Sequence, residues 1–429
     1  MGLSESPDVV TNFHIIHNYT SLNTGWATIV LSTVNSFYKI LPNSKFTVES
    51  YNPEIDRDLY STMGIEVHGK RVSSFGSALH LLTRVLLWRI LRVFHINGDN
   101  LLRHEKLNLY NESDIILDLG GDNLSVPLQT RNIRFKIRRN VLGILGHTYL
   151  FILFLLLKKK IVIYAQTIGP LGPLKSYVRY LLNKMSLITV REEESLRYVR
   201  NIGINKVPVY LTADPAFTLP VASSSYVDET LDSLDVKSNT PIVGICLSSE
   251  TARYHAEASE SDLVSVFSTL CDHIVERYKI QILLIPFSTW EGHGGDDRKI
   301  ARKIWELSNY KNMVKLIQQR FDPRLTKGII SRCSVFIGSR GHSMMIALSS
   351  CIPTIAIGHN PKYYGIMKMA GQEKYVFKAE EITYEKLLSA FNNVWDQQND
   401  IKNELSVKLP EIQDLSYLNA KLVKDLLVT

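Results

Sequence analysis

The chain has 429 residues, which is more than one ordinary domain, so two domains are expected. Hydrophobic residues make up 45% and charged residues 21%, which excludes a disordered protein and is typical of a folded globular one. The net charge of +7 lies in the first half, since residues 1–220 carry +8 and the remainder −1, and this indicates either an anionic partner there or an ordinary basic surface.

Short β-branched segments alternate with helix-period segments along the whole chain, which predicts parallel sheets built from βαβ units. The predicted strands of the first half are NFHIIHNY (12–19), KFTVESYN (45–52), DIILDLGG (114–121), KIVIYAQT (160–167), SLITVREE (186–193) and VPVYLTADP (207–215). Those of the second half are PIVGICLSS (241–249), QILLIPFST (281–289), SVFIGSRG (334–341) and PTIAIGHNP (353–361).

These strands predict an α/β protein of two Rossmann-like parallel-sheet domains facing a cleft, at residues 1–222 and 241–402. Residues 223–240 are rich in Ser and Asp, lack helical or strand periodicity and are predicted as the linker. A helical segment at 403–429 is expected to pack back on one of the domains.

The most apolar segment, residues 141–157, falls short of the roughly 20 apolar residues that a spanning helix needs. It is predicted as a buried helix, with an interfacial helix as the alternative. No signal peptide is expected, although the first residues match the short myristoylation pattern. The four cysteines show no metal-binding spacing and are expected to be buried thiols in a reducing compartment.

Glycine, polar and charged residues recur directly after the predicted strands. Ligands of open parallel sheets bind at the carboxyl ends of the strands, so these loops are predicted to line a binding cleft. The residues in question are Gly120, Gly121, Asp122, Asn123, Gln166, Arg191, Asp214, Arg340, His342 and Lys362.

Many of these residues also have a purely structural interpretation. His342 could bond to a neighbouring carbonyl, Arg340 could pair with a structural carboxylate, and Lys362 could be an ordinary solvated lysine. Arg191 could pair with the glutamates that follow it, and the two glycines could simply permit a tight turn. Their joint placement, rather than any single residue, favours a binding site.

His342 and Lys362 are twenty residues apart, which is the length of one strand–loop–helix unit. Consecutive parallel strands are often neighbours about 5 Å apart, so both side chains could reach one ligand. A helix opening at Ser343 would add backbone amides and the positive end of its dipole. Together with Arg340, these groups predict a site for a phosphate or a carboxylate.

Six motifs form an ordered set over most of the chain. They are QTIGPL (166–171), ITVREEESLRYVRNIGI (188–204), TADPAF (212–217), PFSTWEGHGGDDRKIARKI (286–304), GSRGHSMMIALSSCIPTIAIGHNPKYYGIMKMAG (338–371) and EKYV (373–376). In this set the sequence resembles the polysaccharide pyruvyl transferase family. The resemblance implies a glycosyltransferase-B-like fold, no required metal or other cofactor, and transfer of a pyruvyl group from phosphoenolpyruvate to a sugar as a cyclic ketal.

The resemblance also implies roles for the residues of the predicted anion site. Arg191 and Lys362 would hold the carboxylate and phosphate of phosphoenolpyruvate, with Arg340 as a supporting contact. His342 would act as the general acid or base, because imidazole exchanges protons near neutral pH.

Two motifs of the first half depart from the family pattern. The Asn-x-Gly-Asp loop is present as Asn23 and Gly25, but Trp26 stands where the Asp is expected. The glycine-rich loop, three glycines in the family, is present as Gly120, Gly121 and Asp122. Trp26 is interpreted either as a platform on which a sugar stacks or as a core residue. These departures concern the acceptor more than the reaction, because the acceptor is expected in the N-terminal domain. The residues assigned to the acceptor or to cleft loops are Asn23, Gly25, Trp26, Gly120, Gly121, Asp122, Asn123, Gln166 and Asp214.

Two segments of the first half combine apolar and basic residues, LLTRVLLWRILRVFH (81–95) and RNIRFKIRR (131–139). With residues 141–157 they could rest on an anionic membrane that carries a lipid-linked glycan acceptor. The alternative is a solvated basic face over an ordinary core helix. The expected location is therefore cytoplasmic, with peripheral membrane contact as an option.

Three other functions compete with pyruvyl transfer. A nucleotide-sugar-dependent glycosyltransferase would commonly place an acidic residue near the ribose, and residues 338–371 contain none. A non-catalytic glycan-binding or assembly protein is favoured by Trp26 but opposed by the retained Arg191, His342 and Lys362. Nucleic-acid binding has no supporting motif.

Overall fold

The structure, a computed structural model, describes residues 10–69, 75–125, 138–248, 250–251, 260–291, 295–358 and 361–428. The chain divides into two compact units, and each contains one parallel sheet. The first unit comprises Met1–Thr20, Thr33–Ala213 and Tyr417–Thr429, and the second comprises Ser21–Ser32 and Asp214–Ser416. The chain therefore passes from one unit to the other four times.

The sheet of the first unit has seven strands in the order β3-β2-β1-β4-β5-β6-β7. The order changes direction between β1 and β4, which is the kind of position where parallel sheets bind ligands. The strands are β1 Asn12–Ile16, β2 Lys45–Ser50, β3 Ile65–Gly69, β4 Ile115–Asp118, β5 Lys160–Gln166, β6 Leu187–Val190 and β7 Val209–Leu211. Its helices are α2 Pro53–Tyr60, α3 Phe75–Val93, α4 Glu105–Glu112, α5 Ile144–Leu156, α6 Lys175–Leu182 and α7 Glu193–Asn201, while α1 Thr24–Tyr38 begins in the second unit and ends in the first.

The sheet of the second unit has six strands in the order β10-β9-β8-β11-β12-β13, and its direction changes between β8 and β11. The strands are β8 Ile242–Cys246, β9 Gln281–Leu284, β10 Val314–Leu316, β11 Val335–Gly338, β12 Thr354–Gly358 and β13 Val376–Lys378. The helices are α8 Ser224–Ser233, α9 Glu260–Tyr278, α10 Asp297–Leu307, α11 Pro323–Ser331, α12 Gly341–Leu348, α13 Pro361–Met369, α14 Tyr384–Asp396 and α15 Gln398–Val428. Together the two sheets confirm the predicted α/β class with two parallel-sheet domains.

The local sequence accounts for where these elements begin and end. The central strands β4 (IILD) and β11 (VFIG) are buried at every position, as expected of parallel strands covered on both faces. Helices α10 and α11 begin after Asp296 and Asp322, whose carboxylates accept hydrogen bonds from backbone amides of the first turn. These capping residues determine where α10 begins after β9 and where α11 begins after β10.

All ten predicted strand segments contain a strand, and three strands were missed. The missed strands are β3, β10 and β13, the last two of only three residues each. All three lie at sheet edges and contain partly exposed residues. Their sequences therefore lack the continuous apolar run that marks a buried strand.

The segment predicted as a linker, 223–240, contains helix α8. Val227, Thr230 and Leu231 are its buried residues, and they recur at the spacing of one helix face. Because only these three positions are buried and polar residues surround them, the sequence showed no clear helical periodicity. The change from the first unit to the second comes earlier in the chain, between Ala213 and Asp214.

The C-terminal segment forms helix α15, as predicted, and its last part belongs to the first unit. There Asn419 accepts a hydrogen bond from Thr212 Oγ1 and donates one to the Ala213 carbonyl. The apolar segment 141–157 forms the core helix α5, also as predicted. Within the described ranges, no helix combines the length and the apolar character needed to cross a bilayer.

The cysteines are free thiols. Cys246, Cys271 and Cys333 are buried, as predicted, whereas Cys351 is half-buried. Burial raises the pKa of Cys246 to about 12, so this thiol stays protonated near neutral pH.

Candidate functional site

The two strands that precede His342 and Lys362 are neighbours in the second-unit sheet, as their order in the sequence predicted. Strands β11 and β12 are adjacent and parallel, with Gly338 opposite Ala356. Helix α12 begins at Gly341 after β11, and helix α13 begins at Pro361 after β12. A Cβ atom built on Gly341 would lie 3.8 Å from Lys362 Cε, so the two helix starts share one edge of the sheet. His359 and Asn360, between β12 and α13, lie outside the described residues.

His342 lies beside a buried carboxylate and a glycine. Its Nε2 atom is 3.7 Å from Asp214 Oδ2, a charge contact longer than a hydrogen bond. Asp214 is held in place because its other oxygen accepts a hydrogen bond from the Ala216 amide. The side chain of His342 is 18% exposed, and its Nε2 has no hydrogen-bond partner among the described residues. The imidazole is thus oriented by its surroundings but can still meet a ligand.

The loop that contains Asn23 and Gly25 packs directly on this imidazole. A Cβ atom on Gly25 would lie 2.6 Å from His342 Nδ1, which is closer than real side chains approach. The Gly25 amide donates a hydrogen bond to Asn23 Oδ1, which closes the turn. Glycine is therefore required here for close approach, and the Asn-x-Gly part of the loop belongs to the environment of His342.

Arg340 is paired with a structural carboxylate, the alternative that the sequence left open. Its Nε and Nη2 atoms donate hydrogen bonds to the two oxygens of Asp297, at 3.1 and 2.7 Å. Burial alone would lower the pKa of Arg340, but the Asp297 carboxylate outweighs it and holds this pKa above its ordinary value. Arg340 is therefore a charged, fixed side chain; its predicted contact with a donor stays a prediction.

Asp297 connects this ion pair to the loop around Asn23. Its Oδ2 accepts hydrogen bonds from the amides of Phe287 and Ser288. Ser288 in turn forms an antiparallel bridge with Asn23, and the Thr24 amide donates to the Phe287 carbonyl. Hydrogen bonds thus connect Arg340 through Asp297 and residues 287–288 to the loop that contacts His342.

Two aromatic groups complete this part of the second unit. Trp26 is half-buried and meets Trp290 edge to face, with ring centroids 5.7 Å apart. Lys362 is also half-buried, and its Nζ lies 5.5 Å from the ring centroid of Tyr363, whose hydroxyl donates to the Ser339 carbonyl. Trp26 is therefore partly accessible and belongs to the same unit as His342.

A different cluster lies at the carboxyl ends of the strands in the first unit. Asp118, the last residue of β4, is fully buried between His17 and His147. One of its oxygens is 2.9 Å from His17 Nδ1 and the other is 3.0 Å from His147 Nε2. Burial would raise the pKa of Asp118, but the two histidines lower it well below its usual range.

The side chains of His17, Asp118 and His147 are also the set that could hold a metal ion among the described residues. One potential ligand atom from each lies within 4.8 Å of the others. The two imidazole rings are stacked with centroids 3.5 Å apart, and each forms a hydrogen bond with the Asp118 carboxylate. Hydrogen bonding to Asp118 accounts for this arrangement, and the expectation of no metal stays a prediction.

The glycine-rich loop wraps around Asp118. The Gly120 amide donates to Asp118 Oδ1, and Gln166 Nε2 donates to the Asp118 carbonyl. A Cβ atom on Gly120 would lie 2.7 Å from His147 Cε1, while Gly121 has a φ of +65°. The first glycine permits a close approach and the second permits the turn.

The rest of this loop is held by backbone bonds. The Asn123 amide donates to the Gly120 carbonyl, and the Ser125 amide donates to the carbonyl of Asp122. Gly120, Gly121, Asp122, Asn123 and Gln166 thus lie together, as their positions after β4 and β5 predicted. Their assignment to an acceptor stays a prediction.

Arg191 follows β6 in the first unit and is only 2% exposed. Its Nε donates a hydrogen bond to Thr167 Oγ1. Burial raises the pKa of the neighbouring Glu192, although the charge of Arg191 lowers it. Arg340, His342 and Lys362 belong to the second unit, so the predicted donor residues are divided between the two units.

Sequence reasoning missed four residues with structural roles at these sites. His17 lies inside the first predicted strand segment, 12–19, whereas the observed strand β1 ends at Ile16, so a shorter predicted strand would have placed His17 among the loop residues. Asp118 and His147 lie inside a strand and a helix, where the pattern predicts only core. Asp297 is the first residue of helix α10, where acidic residues are common. Its contact with Arg340, which the sequence does not show, is what distinguishes it.

Comparisons with solved structures show the same fold. The chain is similar to Alr3699/HepE of Anabaena in complex with UDP and glucose, with a TM-score of 0.58 and 13% identity over 98% of this chain and 100% of that one. It is also similar to UDP-GlcNAc 2-epimerase of Neisseria meningitidis, with a TM-score of 0.57 and 11% identity over 98% and 100% of the two chains. These likenesses support the predicted glycosyltransferase-B-like fold.

Comparisons of sequence identify the family. The amylovoran biosynthesis protein AmsJ of Erwinia amylovora is 20% identical over 258 residues, which are 59% of this chain and 62% of that protein. The match thus spans less than two thirds of that relative's length. A profile of the polysaccharide pyruvyl transferase family matches residues 23–361, which include Asn23, Asp118, Arg191 and His342. The chain belongs to the polysaccharide pyruvyl transferase family.

Proposed function

We propose that the protein transfers the pyruvyl group of phosphoenolpyruvate to two hydroxyls of a sugar in a polysaccharide or lipid-linked glycan, forming a cyclic ketal. Family membership supports pyruvyl transfer, and the name of the relative AmsJ supports a polysaccharide product. The observation that carries the proposal is that the helix starts containing His342 and Lys362 share one edge of the second-unit sheet, where His342 lies beside Asp214.

The donor has two anionic groups, and the second unit offers a cation and a helix start to bind one of them. Lys362 presents an ammonium group next to the start of helix α12. The backbone amides of that helix start and its dipole favour a negative ligand at the same place. Arg340 is already neutralised by Asp297, so we assign it to holding the site in shape. Arg191, in the first unit, remains the family-based candidate for a second anion contact.

The proposed reaction needs one group that moves protons, and His342 suits this role. Protonation of the methylene carbon of phosphoenolpyruvate gives an oxocarbenium-like centre, which one sugar hydroxyl attacks. The bond from that carbon to the phosphate oxygen then breaks, and the second hydroxyl adds to the same carbon. Of the two hydroxyl protons, one balances the proton now in the methyl group and the other balances the departing phosphate.

Asp214 would act on this step through His342. Its Oδ2 atom lies 3.7 Å from His342 Nε2 and gives the ring a charged neighbour. It would also restrict the ring to the orientation seen here. Asp214 is therefore proposed as a positioning residue rather than as a group that contacts the substrate.

Two substitutions test this assignment separately. His342→Ala should keep phosphoenolpyruvate binding but lower phosphate release in the presence of a panel of sugar acceptors by about 100-fold or more, the usual size of acid–base effects. Lys362→Ala should weaken phosphoenolpyruvate binding, measured by calorimetry. Lys368→Ala, an exposed lysine on the same helix α13, is the matched control and should change neither quantity.

The unfolding temperatures of the three variants should be close to that of the native chain. Unchanged phosphate release in His342→Ala would contradict the assignment of the proton-transfer role. Binding of uridine diphosphate without binding of phosphoenolpyruvate would favour a nucleotide-sugar-dependent glycosyltransferase instead.

A further inference from the structure

Helix α3 of the first unit turns an apolar face outward. Its five exposed large apolar residues form what we call the α3 stripe: Leu79, Leu86, Leu87, Ile90 and Val93. At 3.6 residues per turn they fall within an arc of about 120° and extend about 20 Å along the helix. Phe94 and Ile96, which are 68% and 53% exposed, continue the apolar surface past the end of the helix.

The opposite face of α3 already supplies the contacts that stabilise the fold. Leu81, Val85 and Trp88 are buried in the core of the first unit, in one cluster with residues of helix α5. The α3 stripe therefore does not serve the core seen among the described residues. Scattered exposed apolar residues are common, but a continuous stripe of this size indicates a binding surface.

Cations lie beside the C-terminal half of the stripe. Arg89, Arg92 and Lys158 line one surface depression together with Ile90 and Val93. Helix α3 contains three arginines and no acidic residue. Leu142 and Leu145, near the start of the adjacent helix α5, are also exposed and apolar. The surface thus combines apolar side chains with positive charge.

We propose that the α3 stripe docks on a membrane surface that contains anionic lipids. An apolar helix face bordered by Arg and Lys is the pattern of helices that lie in the plane of a membrane interface. The apolar side chains would enter the boundary between headgroups and acyl chains, while the cations would contact lipid phosphates. The basic segment 131–139 falls almost wholly outside the described residues and is not needed for this surface.

Co-sedimentation of the full chain with lipid vesicles tests the proposal without any substrate. The protein should bind vesicles of phosphatidylcholine and phosphatidylglycerol, and bind pure phosphatidylcholine vesicles much less. The double variant Ile90→Glu with Val93→Glu should lower the affinity about tenfold or more, because two charges replace apolar groups in the interface. Arg89→Gln with Lys158→Gln should weaken the binding less and reduce its dependence on salt.

A matched control replaces two exposed valines of the second unit, Val221→Glu with Val407→Glu, and should bind vesicles like the native chain. Three results would overturn the proposal. The native chain could fail to bind anionic vesicles, or the stripe variant could bind them unchanged. The stripe variant could also lose thermal stability or change from dimer to monomer in light scattering, which would show that another part of the chain or a second copy covers the stripe.

Discussion

Gly25 belongs to a family motif in the sequence and contacts the candidate catalytic residue His342 in the structure. Its lack of a side chain allows the loop to lie against the imidazole of His342, since a Cβ there would be 2.6 Å from Nδ1. The sequence alone marked Gly25 as part of a family motif and placed it among the cleft loops. Only the structure shows that its neighbour is His342.

Gly25→Ala should therefore change activity more than stability. The added methyl group would force the His342 ring to rotate, and we expect phosphate release to fall about tenfold or more, since misplaced catalytic groups are costly. The unfolding temperature should change little because the ring is partly exposed and can move. Gly146→Ala is the control, since no described atom lies within 4 Å of a Cβ there. Full activity in Gly25→Ala would show that the ring orientation seen here is not needed.

The pair of Arg340 and Asp297 should matter chiefly for stability. Arg340→Ala would leave the fully buried Asp297 carboxylate without its partner, which should cost about 3 kcal/mol in the free energy of unfolding. Arg340→Lys should recover only part of this, because lysine cannot donate to both carboxylate oxygens in the same geometry. Denaturant unfolding measures both variants. If both unfold like the native chain, the ion pair does not hold the site.

Among the elements, the buried strands were predictable from the sequence, whereas three of the four edge strands were not. Strands such as β4, β8 and β11 are continuous apolar runs, so their positions could be read directly from the sequence. Strands β3 and β10 alternate or are very short, and their stability comes from pairing with β2 and β9. Helix α8 was missed for the related reason that its apolar residues are few.

Strand β1 carries a pH-dependent element of the fold. His14 is fully buried, its Nδ1 is 2.7 Å from Thr47 Oγ1, and burial lowers its pKa to about 4. Between pH 6.5 and 4 the unfolded chain takes up a proton that the folded chain does not, so the free energy of unfolding falls as the pH falls. His14 should account for about 3 kcal/mol of this loss.

Unfolding of the variant His14→Asn at several pH values tests this effect. The loss of stability between pH 7 and pH 4 should be smaller in the variant than in the native chain. His95→Asn, the same replacement at an exposed position, is the matched control. Equal pH profiles for the native chain and the His14 variant would contradict a neutral buried His14.

At the scale of the whole molecule, the number and class of the domains were predictable, whereas their composition was not. Alternating strands and helices predict two parallel-sheet units from the sequence alone. The units, however, exchange the segment Ser21–Ser32 and the end of helix α15, and no local pattern marks such exchanges. This matters for the site, because Asn23 and Gly25 precede most of the first unit but lie with His342 in the second.

The two candidate sites differ in the same way. His342 and Lys362 were predicted to lie near each other because they follow consecutive strands of one sheet, and the two helix starts that contain them do lie at the same edge of that sheet. The cluster of His17, Asp118 and His147 unites residues up to 130 positions apart, from the end of β1, from β4 and from α5. Such contacts follow from the strand order, in which β1 and β4 are neighbours although two strands and four α-helices separate them in the chain.

The binding of phosphoenolpyruvate tests the proposed function most directly. A ligand that binds the folded chain raises its unfolding temperature, so a thermal shift with millimolar phosphoenolpyruvate needs no knowledge of the acceptor. We predict a clear increase for the native chain, a smaller one for Lys362→Ala and none with uridine diphosphate. No increase with phosphoenolpyruvate, together with a clear increase with uridine diphosphate, would contradict pyruvyl transfer as the function of this protein.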